Sequence, residues 1–142
     1  MEKIIEKELS YEITGLCYKV HKDLGRFCRE KQYADELEGL LKENKIEYQR
    51  ELEIKQLRPN SPAGNKVDFM IKKRIIVDIK AKKFITKEDY MQMQRYLQSA
   101  NLELGLIVNF RSTYLKPQRV LNHNLFSDHS DANSDHSDRH LL

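Results

Sequence analysis

Two aspartates, a lysine, a glutamine and a tyrosine fall in an order that can do chemistry: Asp68, then Asp78-Ile79-Lys80, then Gln92 and Tyr96. Asp78 and Lys80 are two apart in a β-branched run. On a strand both would leave one face with Ile76, while Ile75, Val77 and Ile79 point the other way. Asp68 ends the preceding extended segment and can lie across from them. Two carboxylates a few ångströms apart repel, and a hard cation such as Mg²⁺ relieves this by taking oxygen ligands from both. The backbone carbonyl of Ile79 is placed to complete the shell. Such a cation polarises a phosphate and acidifies a bound water, and a lysine beside it orients that water or stabilises charge on the phosphate. The chemistry this set suits is phosphodiester hydrolysis. The competing account is a pair of solvated charges on an exposed strand face.

Three further side chains join the candidates. Glu30 shares a helical stripe with Tyr33, Leu37 and Leu41, which places it either on a buried face, where it needs a metal or a lysine, or in a wet first helical turn. His21 lies on the stripe of Cys17 and Leu24, where a hydrogen-bonded core histidine competes with a site residue. Gln92 and Tyr96, four apart, stack on one helix face. Gln92 could bond a phosphate or a bound water, and Tyr96 could pack on sugar or base. Both lie beside the stripe of Tyr90, Met93, Leu97 and Ala100.

The elements that must position these residues follow from periodicity. Residues 10–24 and 29–44 carry apolar residues at helical spacing, with Gly25 as a stop between them. Residues 46–57 alternate imperfectly, and the Pro-, Asn- and Gly-rich stretch 58–65 is loop chemistry. Residues 66–71 and 74–81 read as a hairpin joined at Lys72-Lys73, 87–100 as a helix, and the apolar 104–110 as a strand covered on both faces. The long crossover before the last strand implies an α/β fold, a mixed β-sheet of about four strands flanked by helices.

At 142 residues, with 33% charged and 39% apolar, the chain fits one polar α/β domain. We assign that domain to residues 1–120. Residues 121–142 repeat Asp-His-Ser-Asp and are expected to form a disordered polar tail. The net charge is +3, and the tail holds four aspartates against one arginine, so the body is the basic part. No apolar run suits a membrane span and no apolar signal region opens the chain, so a cytoplasmic protein is expected. Cys17 and Cys28 fit reduced thiols better than a disulfide.

Taken together, Val20-His21-Lys22-Asp23-Leu24-Gly25, Glu30 with Tyr33, Val67-Asp68-Phe69, Asp78-Ile79-Lys80-Ala81, Gln92 with Tyr96, and residues 104–110 resemble the GxxExxY family of the PD-(D/E)XK nuclease superfamily over about residues 8–120. Two positions depart from it: Phe27 stands first in the name motif, with Gly25 the nearby glycine, and Asp78 stands where that family usually has glutamate. The resemblance implies a restriction-endonuclease-like core and Mg²⁺-dependent hydrolysis of nucleic acid, with Mn²⁺ able to substitute. DNA is the first expectation, and RNA stays open. Asp68, Asp78, Ile79 and Glu30 would hold the metal, Lys80 would assist the water, and Gln92, Tyr96 and His21 would position the substrate. A homodimer would enlarge a small domain's grip on a duplex. The alternative is a non-catalytic binding module that keeps the nuclease fold.

Overall fold

The structure, a computed structural model, describes residues 4–54 and 66–126. Its elements are α1 (Lys7–Leu24), α2 (Glu30–Glu43), β1 (Tyr48–Glu53), β2 (Lys66–Ile71), β3 (Ile75–Lys80), α3 (Lys87–Ala100), β4 (Leu104–Asn109) and β5 (Gln118–Leu121). The sheet runs β1-β2-β3-β4-β5. Among the described strands only β3 and β4 are parallel, as the α3 crossover between them requires. The fold class is thus the expected mixed α/β sheet flanked by helices, with five strands in place of about four. The expected loop at 58–65 lies outside the described residues.

Two apolar clusters hold the layers together. Ile13, Cys17 and Val20 of α1, with Tyr33, Leu37 and Leu41 of α2, pack on Phe69, Ile75, Val77, Ile79 and Val108. Tyr90, Met93 and Leu97 of α3 pack on Met70, Ile76, Ile107 and Val120 from the opposite face. The alternation along β3 therefore works as its sequence dictates, with Asp78 and Lys80 on the α3 side beside Ile76. All six residues of β4 are buried, as its apolar run predicts. Gly105 lets α3 approach β4 closely: a Cβ there would lie 2.3 Å from Met93 Sδ.

Local chemistry sets the ends of the elements. Gly25, at φ 77°, closes α1. Thr86 Oγ1 accepts from Asp89 N, and Asp89 Oδ2 accepts from Thr86 N at 2.8 Å, a reciprocal cap that starts α3. Lys72 and Lys73 both take left-handed φ, 51° and 55°, in the tight turn that joins β2 to β3. Both cysteines are free, and burial pushes the Cys17 thiol up to about 12, which leaves it inert. Among the described residues no helix is long and apolar enough to cross a membrane.

Three expectations need correction. Helix α1 starts at Lys7, not 10, because Leu9 adds a buried turn ahead of Ile13. The strand β5 was not foreseen: it is four residues long, it follows a proline at 117, and only Val120 in it is buried. The polar tail does not begin at 121. Leu121 is in β5, Asn122 is fully buried with its amide on the carbonyls of Leu97 and Leu102, and His123 meets the Tyr90 hydroxyl at 2.5 Å. Residues 127–142, and with them the Asp-His-Ser repeat, lie outside the described residues.

Candidate active site

Strand β2 breaks its pattern at Asp68. The ladder to β1 joins Phe69 to Arg50 and Val67 to Leu52, and skips Asp68. Glu51, opposite it, sits at φ 52°. The ladder to β3 ends at the Phe69–Val77 pair. Phe69 belongs to the α1/α2 cluster, yet Val67, two residues away, belongs to the α3 cluster. The chain thus turns at Asp68 and peels away from β3. Its carboxylate takes over the lost ladder bond: Asp68 Oδ2 accepts from Ile79 N at 2.6 Å. In a strand the N–H and C=O of one residue point to the same edge, so the Ile79 carbonyl faces the gap that β2 leaves.

The gap is a recess of about 260 Å³ lined by Asp68, Ile79, Glu30, Ala34, Arg50 and Glu51. Asp78, 5% exposed, is not in its lining but interacts with Asp68 from the α3 side of the sheet. Burial first, then a hydrogen bond and the charge of Asp78, push the Asp68 carboxyl far above the usual range, to about 8. Asp78 Oδ2 is buried and makes no hydrogen bond, although Lys80 Nζ is 3.2 Å away. The ammonium supplies charge there without a well-directed bond. Burial pulls the Lys80 pKa down, but Asp78, Asp89 and Glu30 outweigh it and hold the group above the ordinary lysine value. Glu30 is exposed at the first position of α2, so the wet-turn reading of its burial holds. Its charge nevertheless reaches Lys80.

Sequence reasoning missed Asp89. It is 7% exposed, 3.8 Å from Lys80 Nζ through Oδ1 and 2.5 Å from Lys82 Nζ through Oδ2. The Thr-x-x-Asp spacing before α3 was the available signal. Asn109 was also missed. Its side chain bonds the Lys82 N–H and carbonyl and the Arg111 N–H, and so clasps the segment after β3 to the end of β4.

The remaining candidates are placed differently from expectation. Tyr96 is buried in the α3 cluster, not beside it, and its hydroxyl donates to the Lys66 carbonyl at 3.2 Å. Its pKa is pushed up to about 12, by burial first and then by Asp78. It therefore braces the strand that carries Asp68 and lines the buried side of the acid pair. Gln92 is half-buried, and no described contact joins it to the acids. The neighbouring Gln94 is the bonded one, to Tyr90, Leu121 O and His123 N. His21 meets Ser112 O at 2.9 Å and lies near the Phe110 ring, the hydrogen-bonded core role weighed for it.

A buried carboxylate, Asp78, and a half-buried one, Asp68, that repel each other, with an unbonded carboxylate oxygen and the Ile79 carbonyl, form an all-oxygen donor set of the kind a hard divalent cation takes. Among the described residues no group of three or more histidine, cysteine or acidic side chains is arranged around one point. A hard divalent cation can bind one or two carboxylates and keep waters or substrate oxygens in its other positions. The residues present fit such an ion.

Comparison with curated proteins returned no match, and comparison with solved structures returned none. A family model described as the PD-(D/E)XK nuclease superfamily matches residues 7–120. That span covers every described strand up to Val120 and all the acids of the recess, and the chain therefore belongs to the PD-(D/E)XK nuclease superfamily.

Proposed function

We propose that the chain is a divalent-metal-dependent nuclease of the GxxExxY type that hydrolyses phosphodiester bonds of DNA, with Mg²⁺ as its ion and Mn²⁺ able to replace it. The observation that carries the reading is the pairing of half-buried Asp68 with buried Asp78, with an unbonded oxygen and a cation beside it. Such a pair is costly for a structural protein and useful to one that binds a metal. When bound, the ion supplies Lewis-acid polarisation of the phosphate and a water acidified for attack.

Asp68 and Asp78 hold the ion through their carboxylates, and the Ile79 carbonyl adds a backbone ligand. Glu30, at the mouth of the recess, offers a further carboxylate as substrate enters. Lys80 orients the attacking water or stabilises charge on the phosphate, and Asp78 and Asp89 keep it aimed at the site. Tyr96 acts on the site by bracing β2. Gln92, on the same face of α3 and half-open to solvent, contacts the strand. His21 steadies the segment after β4 through Ser112. Two copies of so small a domain would grip a duplex better than one.

The test is cleavage of labelled single- and double-stranded DNA in Mg²⁺, Mn²⁺ or EDTA, with wild type beside Lys80→Ala. Cleavage should need the metal and fall in the variant by about 10² or more, the scale of a positioned catalytic group. Metal-independent cutting, or full activity in Lys80→Ala, would overturn the assignment.

A further inference from the structure

We propose that the α1–α2 turn carries a base-stacking platform for a single strand of nucleic acid, built from the Phe27 ring with the Arg26 and Arg111 guanidinium groups. The choice of ligand rests on the nuclease reading, whereas the geometry stands by itself. Phe27 is 73% exposed, which leaves most of its ring open to a ligand. The guanidinium carbons of Arg26 and Arg111 lie 4.8 and 5.0 Å from the ring centroid. Arg26 Nε donates to the Arg111 carbonyl at 2.8 Å, so two distant segments are tied into one surface. Arg111 Nε is buried and has no hydrogen-bond partner among the described residues. The charge of the two guanidinium groups beside the ring is what a phosphate of the stacked nucleotide would seek.

The platform is fixed at the catalytic end of the sheet. Tyr33 donates from its hydroxyl to Gly25 O at 2.6 Å and accepts from Cys28 N at 3.0 Å, so it pins the turn from inside. Its ring stacks on Phe110 at 4.3 Å, and Phe110 N donates to the Lys80 carbonyl at 2.9 Å. Phe27 is three residues before Glu30, which lines the acid recess, and three extended residues span at most about 11 Å. A base on Phe27 thus places phosphates of its own strand within short reach of Asp68 and Asp78. Phe84, 76% exposed, follows Lys82 and Lys83 on the segment that Asn109 clasps to the end of β4.

The chemistry selects a single strand. Paired bases are stacked within their duplex and offer no open face to a phenyl ring, whereas an unpaired base stacks on any aromatic, and its phosphates seek the arginines. An acidic peptide would use the arginines but would have no need of an exposed ring.

The experiment is binding in EDTA, where cleavage does not intervene, by anisotropy of a labelled oligothymidylate and of a duplex of equal length. Phe27→Ala should weaken single-strand binding by about tenfold or more, the scale of one lost stacking partner, with duplex affinity much less changed. Its melting temperature, expected to match wild type, excludes a folding defect. The chain contains no tryptophan, so Phe27→Trp is a single reporter. It should retain affinity, and its emission should fall when oligothymidylate binds. Unchanged affinity in Phe27→Ala, an indole that ignores the oligonucleotide, or an equal response to polyglutamate would overturn the platform. A Phe27 effect without metal-dependent cleavage would sink the nuclease reading and leave the platform. Cleavage without a Phe27 effect would do the reverse.

Discussion

Replacing Asp78 by asparagine should make the metal-free protein more stable while removing its response to metal. In the folded chain Asp68 binds its proton more tightly than in the unfolded one, since its pKa rises from 3.8 to about 8. The folded state then carries more protons across that window, so stability falls as pH rises from about 4 to about 8. At about 1.36 kcal/mol per pKa unit, the whole shift sets a ceiling near 5–6 kcal/mol. Burial is its largest cause and survives the substitution. The hydrogen bond and charge of Asp78, which are smaller than burial, do not. The recovered share is therefore about 1–3 kcal/mol at pH 8, or roughly 3–10 °C for a domain of this size. Lys80 keeps Asp68 and Asp89 as counter-charges. The assay is thermal melting of both proteins by circular dichroism in EDTA from pH 4.5 to 8.5, then in Mg²⁺ or Mn²⁺. The gap in favour of the variant should open as pH rises. Metal at about a hundred times its Kd should stabilise wild type by about 2.7 kcal/mol and the variant far less. A variant that melts below wild type in EDTA at pH 8, or one that gains as much from metal, would refute the reasoning.

Two other substitutions probe the frame around the site. Asp89→Asn removes the Lys82 ion pair and weakens the cap of α3, and should destabilise by about 1–2 kcal/mol at pH 7. Burial raises the Asp89 pKa, but Lys82 and Thr86 outweigh it and the net shift is downward, so the wild-type advantage should be present above pH 3.8 and fade as pH falls through the folded value; denaturant midpoints at pH 7 and pH 3 would read this. Gly105→Ala forces Met93 off β4 and should cost about 1–3 kcal/mol, measured by urea unfolding; an unchanged midpoint would mean that Met93 swings aside freely.

The strands β3 and β4 were legible because they lie where periodicity is strongest. Alternation along 75–80 put Asp78 and Lys80 on one face, and the structure places them there against α3. What failed to show was anything that depends on irregular backbone or on partners far along the chain. β5 has one buried residue, too few to make a pattern. Tyr96 read as a neighbour of the core stripe, yet it is buried, because the peeling of β2 brings the Lys66 carbonyl over α3 and gives its hydroxyl a partner. Asp89 has the spacing of an ordinary first-turn acid. It pairs with Lys80, the last residue of β3, and with Lys82 just beyond it, a contact that no local spacing reports.

The break in β2 and the acid at its centre are one feature. Were β2 to continue its ladder past Phe69, position 68 would face a neighbouring strand, and its backbone would fill the edge where the Ile79 carbonyl now points. An apolar residue at 68 would leave Ile79 N without a partner once β2 peels off, an unpaired buried donor worth about 1–3 kcal/mol. Asp68 resolves both demands, since one carboxylate oxygen replaces the ladder acceptor and the group still faces the recess. The Ile79 N–H and Lys80 offset part of the repulsion between the two acids, and because the Asp68 pKa is raised, a divalent ion binding there would compete with a proton.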